Sequence, residues 1–206
     1  MLKAYKTEIN PTEEQKIKIH QMIGVCRWLY NQYLAKNKEL YDLYKEGKID
    51  KKEAFMSAND FDKYINHEVK TQEKFKWIND TCGSKARKKA ICNAEMAFKR
   101  FFKGQSKFPR FKKKKNQDIK AYFPKNNKTD WTVERHRIKI PTLGFIRLKE
   151  KGYIPAKVDV KSGTVSYKAG RYYVSILIEM PSYNDCSRPT NKGIGIDLGI
   201  KDFAIV

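Results

Sequence analysis

The apolar residues change their spacing at Gly104, and that change restricts the chain to helices first and strands after. Before it, Ile19, Met22, Ile23, Cys26, Leu29, Tyr30, Tyr33 and Leu34 recur at the spacing of one helical face. Ala86, Ala90, Ile91, Ala94, Ala97, Phe98, Phe101 and Phe102 repeat the pattern. After it come short alternating segments rich in β-branched and aromatic residues, at 119–123, 137–140, 144–148, 157–167 and 171–179. Pro124, Pro141, Gly144, Gly152, Pro155, Gly163 and Gly170 separate them. The expectation is an α+β fold whose strands form a small antiparallel barrel or sheet.

Local signals sharpen this. Thr12 followed by Gln15 can cap a helix reciprocally, which predicts a first helix from there to about Tyr44. Residues 51–79 read as one or two weaker helices with Phe55, Phe61, Tyr64, Ile65, Phe75 and Trp77 in the core. A clearer helix occupies roughly 84–103. The opening LKAYKTEI fits a short strand ended by Asn10, Pro11 and Thr12, and it is expected to return to the later sheet with the helices inserted between. The run VSYKAGRYYVSILIE predicts a hairpin about Lys168, Ala169 and Gly170, with Ile176 and Ile178 facing the core. Pro181 to Asn191 reads as a polar linker.

Charge then selects the partner. The 206 residues hold 44 Lys and Arg against 23 Asp and Glu, a net of +21, and a compact body with that excess repels itself unless an anion neutralises it. No run of 18 apolar residues exists, and MLKAYKTEINPTEEQ lacks the apolar core of a signal peptide. A membrane is therefore not expected as partner, and the expected location is cytoplasmic. Cys26, Cys82, Cys92 and Cys186 stand apart, with no Cys-x-x-Cys pair and with His20, His67 and His136 far from them. Neither a disulfide framework nor a zinc site is expected, and Cys26 and Cys92 read as packing residues.

Residues 85–115 hold 13 Lys and Arg and a single acid, Glu95. Lys85, Arg87, Lys88, Lys89, Lys99 and Arg100 lie on the helix over 84–103, and Lys107, Arg110, Lys112, Lys113, Lys114 and Lys115 in the segment after it. A solvated charged face is the plain alternative, but unbalanced charge of this density does not help folding, so these residues are assigned to nucleic-acid contact. In GQSKFPRFKKKK, Phe108, Pro109 and Phe111 can anchor on the fold or stack on bases while the cations follow a phosphate backbone. Tyr30, Tyr33 and Tyr41 are open to the same two roles, with the core favoured.

The last segment, GIGIDLGIKDFAIV, places Asp197 near the end of an apolar strand, with Gly199 permitting a tight turn. In ribonuclease-H-like folds such a carboxylate helps hold the divalent metals that bridge a scissile phosphate. Actin-like ATPases share the Gly-Ile-Asp-Leu-Gly start, and a plain strand with an Asp turn would also read this way. Asp202 reads as a turn residue.

Together these pieces resemble the TnpB family, also called OrfB, of RNA-guided nucleases encoded by small insertion sequences and related to type V CRISPR nucleases. The resemblance is carried by KAYKTEINPTEEQ, GVCRWLYNQYL, RKKAICNAEMAFKRFFKGQSKFPRFKKKK, VSYKAGRYYVSILIE and GIGIDLGIKDFA, in that order. It implies a wedge-like β-barrel formed by residues 1–10 and 117–182, a helical recognition lobe over 11–116, often called helix-turn-helix, and a RuvC-like nuclease domain starting at 192–206. It also implies a guide RNA and a target DNA as partners, the target read through a short adjacent motif and then by base pairing.

By the same resemblance Asp197 is a catalytic residue and the first of three acidic ligands of Mg2+, the other two and a four-cysteine zinc module falling beyond residue 206. The expectation is a truncated transposon-encoded nuclease that binds RNA or DNA without cutting. A binding-only regulator, or a nuclease completed by a separate chain, are the alternatives.

Overall fold

The computed structural model describes residues 1–69, 72–75, 77–116, 120–125 and 130–180. Strand β1 (Leu2–Asn10) leads into helix α1 (Glu13–Lys45), which the expected capping box opens. Thr12 accepts from the Gln15 N–H through its hydroxyl, at 3.4 Å, and the Gln15 amide oxygen accepts from the Thr12 N–H at 3.0 Å. The Gln15 amide also donates to the carbonyls of Leu143 and Phe145 at 2.8 and 3.0 Å, so the cap joins the helix to the sheet.

Short pieces follow: α2 (Ala58–Tyr64), one π turn over Ile65–Val69, and α3 (Trp77–Thr81). Helix α4 (Ser84–Phe102) then packs along α1. Its buried stripe of Ala86, Ala90, Ile91, Ala94 and Phe98 is rich in alanine, and small side chains let two helices approach closely. Tyr33 sits at the centre of the helical core, fully buried, with Phe61, Phe55 and Phe98 edge-on around its ring. Its hydroxyl donates to the Met56 carbonyl at 2.8 Å, which satisfies the one polar atom it brings inside.

The remaining strands are β2 (Ala121–Pro124), β3 (Thr132–Val133), β4 (Arg137–Ile140), β5 (Gly144–Leu148), β6 (Asp159–Lys168) and β7 (Arg171–Glu179). They form one antiparallel sheet in the order β2-β6-β7-β1-β5-β4-β3. The N-terminal strand does return, between β7 and β5, pairing Leu2 with Glu179 through Ile9 with Tyr172. The 6–7 hairpin turns on Ala169 and Gly170, both at positive φ, which is the geometry that matches the twist of its strands. Tyr172, Val174, Ile176 and Ile178 alternate into the core.

The wedge-like barrel implied by the resemblance is corrected to an open sheet, the other form that the strand spacing had left open. Its outer strands β2 and β3 are not hydrogen-bonded to each other, and β3 has only two residues with which to pair. Curvature nevertheless brings the ends near one another. Trp131, just before β3, lies against Gly163 of β6, where a Cβ would meet its ring at 2.3 Å. The indole is buried, so the two ends of the sheet share core packing without sharing hydrogen bonds.

Candidate nucleic-acid interface

Helix α4 divides its residues by face. The apolar stripe turns to α1, and Lys85, Lys88, Lys89, Lys99 and Arg100 are exposed. Its first turn carries cations and no acid, an arrangement opposed to the helix dipole, so the positive end gains further positive charge instead of being neutralised. Arg87 departs from the group: it is only 9% exposed and lies on the packed face, beside Cys82.

The single acid of this basic stretch holds structure together. Glu95 accepts from the Ala58 N–H at the start of α2 at 3.1 Å and pairs with Lys99 at 2.9 Å. Burial pushes its carboxyl pKa up, but Lys99 and the Ala58 N–H outweigh that and hold it below the ordinary value. Lys99 is thus partly committed to Glu95.

The segment after α4 is pinned at two places. Gly104, at a φ of 70°, ends the helix, and Phe108 packs edge-on against Phe98 and Phe101 at 5.5 and 5.2 Å. Pro109 beside it is buried. Four residues on, the Asn31 side chain of α1 holds the backbone of Lys112 through two hydrogen bonds, at 2.8 and 3.0 Å. Lys107, Arg110, Lys113, Lys114 and Lys115 stand exposed on this tethered segment, and Phe111 is 49% exposed between them. Of the two roles open to its aromatics, Phe108 takes anchoring, while Phe111 keeps a face to solvent.

Between the helices, the pinned segment and the sheet lies a cleft of about 290 Å³. Tyr30 of α1, Lys89 and Asn93 of α4, and Lys112 line one side, and Lys120, Tyr122 and Thr164 the other. The Lys112 ammonium lies 5.7 Å from the Tyr30 ring centre and the Lys89 ammonium 5.9 Å from that of Tyr122. Cations poised over aromatic rings supply the two things a nucleotide needs, a counter-charge for phosphate and a flat surface for a base or sugar. No carboxylate lines the cleft among the described residues.

The structure therefore brings Lys89 and Lys112 to one cleft and sets Lys85, Lys88, Arg100, Lys107, Arg110 and Lys113 to Lys115 exposed on the helix and segment beside it. Sequence reasoning missed Asn93, Lys120, Tyr122 and Thr164. A readable signal existed for two of them: Lys120 and Tyr122 alternate with the buried Ala121 and Phe123, so a period of two already placed them outward. Of the three tyrosines, Tyr33 is core, Tyr30 is buried but lines the cleft, and Tyr41 carries Lys45 over its ring.

Asp197, Asp202 and Cys186 lie outside the described residues. Among the described residues no three His, Cys, Asp or Glu side chains are grouped to hold a metal ion, and no helix is long and apolar enough to cross a membrane.

A family model described as a helix-turn-helix domain, of the OrfB group, matches residues 1–47. Over those residues the structure has a strand and one long helix, so the description names the family more than the local geometry. InsQ of Escherichia coli (strain K12), named as a candidate RNA-guided DNA endonuclease, is 28% identical over 211 residues, covering 98% of this chain and 46% of its own length. A protein of Streptomyces pristinaespiralis with the same descriptive name is 25% identical over 204 residues, covering 96% of this chain and 46% of its own. The chain thus spans about half the length of the curated relatives it matches. With the N-terminal match and two relatives aligned along nearly all of it, the chain is similar to proteins of the OrfB, or TnpB, family.

Proposed function

We propose that this chain is a nucleic-acid-binding portion of an RNA-guided DNA endonuclease, holding guide RNA and target DNA chiefly by their phosphates. The observation that carries the reading is the basic segment tethered by Asn31 and Phe108 beside a cleft that combines Lys89, Lys112 and Lys120 with Tyr30 and Tyr122. A flexible lysine tail would bind polyanions too, but here the backbone is fixed, so the charges present a defined track. Fixed cations lose less freedom on binding than mobile ones.

The names of both relatives supply the guide-RNA and target-DNA part of the reading. In a division where base pairing reads sequence, the protein's task is to hold backbones, and a lysine-rich track suits it. The wedge and recognition-lobe roles of 1–10 with 117–182 and of 11–116 belong to the same proposal, as does a RuvC-like role for 192–206. Asp197 is proposed as one Mg2+ ligand of the cutting site. The described residues hold no group of three His, Cys, Asp or Glu side chains to which a metal role could be assigned. These 206 residues are proposed to bind without cutting.

Titrating the chain with dye-labelled RNA and DNA across salt tests this. Contact with about six to ten phosphates makes affinity fall by roughly three to five orders of magnitude between 50 and 200 mM salt. Undetectable binding at the lower salt would end the reading. Cleavage by the chain alone in Mg2+ would overturn the binding-only part, and binding unaltered by Asp197→Ala supports it.

A further inference from the structure

A second groove, of about 520 Å³, opens between α1 and α3. Trp28 and Trp77 meet in it edge to face at 5.7 Å, and Gln21, Arg27 and Asn31 supply polar groups around them. Trp77 is 40% exposed, a large apolar surface to leave in water, whereas Trp131 is buried. Arg27 is the cation of this lining, and no carboxylate lines it among the described residues.

The groove and the cleft are lined by neighbouring residues of α1. Tyr30 lines the cleft and Asn31, the next residue of α1, lines the groove. The basic segment touches both: its Lys112 side chain lies over Tyr30, and its backbone at Lys112 is held by Asn31. A chain of phosphates reaching Lys112 therefore passes α1 where Tyr30 serves the cleft and Asn31 the groove. Duplex bases are stacked on each other and cannot reach into a recess, but an unpaired base can leave the strand and lie on an indole.

We propose that the Trp28–Trp77 groove takes an unpaired base from a single strand whose neighbouring phosphates run along the tethered basic segment, with Arg27 contacting a phosphate or the base edge. The proposal rests on the nucleic-acid reading above and adds a site and a strand type to it. Stacking on the exposed indole supplies sequence-tolerant affinity. Gln21 gives the base edge a donor and an acceptor.

Indole emission tests it directly in the full chain. Single-stranded RNA and DNA oligonucleotides of one sequence, each carrying a remote dye for anisotropy, are titrated at low salt while tryptophan emission is followed. The expected result is quenching that tracks the anisotropy for at least one single strand and is absent or much smaller with blunt duplex. Trp77→Leu should weaken single-strand binding about tenfold, leave duplex binding and the salt slope unchanged, and remove most of the quenching. Arg27→Gln should lower the salt slope by about one.

Single-strand binding without any quenching in the unmodified protein overturns the groove and leaves the wider reading standing. Absence of binding by anisotropy to every strand overturns both. Should Trp77→Leu abolish a self-association seen by light scattering while strand binding is unchanged, the groove belongs to contact with a second copy and the proposal fails.

Discussion

The side-chain amide of Asn31 and the backbone of Lys112 form a reciprocal pair: the Asn31 Nδ2 donates to the Lys112 carbonyl at 3.0 Å, and the Lys112 N–H donates to the Asn31 Oδ1 at 2.8 Å. Outside regular secondary structure a backbone needs such partners, and asparagine can serve donor and acceptor at once. Asn31→Leu removes both bonds and leaves two backbone groups to find water. The expected cost is about 1–3 kcal/mol in urea unfolding, with faster proteolysis between Gly104 and Lys115. Strand affinity should fall several-fold at an unchanged salt slope, since no charge is lost. A change in slope would mean that the substitution disturbed more than the tether.

The three exposed lysines past the clamp make a charge prediction that the clamp itself does not. Lys113→Gln, Lys114→Gln and Lys115→Gln together should reduce the steepness of log affinity against log salt by about three, and weaken RNA and DNA alike. Thermal stability should hold or rise slightly, because like charges on neighbouring residues repel. Fluorescence anisotropy at four salt concentrations measures the slope. A loss confined to one sequence would argue for base reading instead of phosphate contact.

Much of this architecture was legible where one local rule acts alone. Thr12 and Gln15 announced the start of α1, the alanine-rich stripe announced α4, and the alternation from Tyr172 to Ile178 announced the inner face of β7. The stretch 51–79 was less so: its helices are short, one is a π turn, and their positions depend on Tyr33, Phe61 and Glu95, which only tertiary contact brings together. The closed barrel that the resemblance implied was not legible in the residues themselves, for a related reason. Strand spacing is a local property and fits barrel or sheet alike, whereas closure depends on whether β2 and β3 meet, and they are not neighbours in the sheet. The cleft was half legible: charge density pointed to Lys89 and Lys112, but Asn93 and Thr164 carry no signal until helix and sheet are brought face to face.

Gly163 and Trp131 give a prediction about the fold. A Cβ on Gly163 would stand 2.3 and 2.7 Å from two atoms of the Trp131 ring and 3.1 Å from Ile176. The ring is buried and cannot swing away freely. Gly163→Ala is therefore expected to destabilise by about 1–3 kcal/mol, lowering the melting temperature by several degrees in a chain of this size. Combining it with Trp131→Phe, which withdraws the crowding atoms, should cost less than the sum of the two single changes. Strict additivity in that cycle would show that the two side chains do not share this space.

Glu95 makes stability depend on pH in a definite direction. Burial raises its pKa, but the Lys99 ammonium and the Ala58 N–H prevail, and the folded value lies below the ordinary 4.5. For a carboxyl depressed in the folded state, the stabilisation is complete above the unfolded pKa and is lost as pH falls through the folded one. Glu95→Gln keeps an oxygen for the Ala58 N–H but gives up the charge facing Lys99. At neutral pH the variant should be less stable by roughly 1 kcal/mol, the difference between a charged and a neutral hydrogen bond. As pH drops below about 4 the unmodified protein loses its advantage, and the two urea midpoints should converge. A gap that stays constant from neutral to acid pH would show that the carboxylate charge contributes nothing to joining α4 and α2.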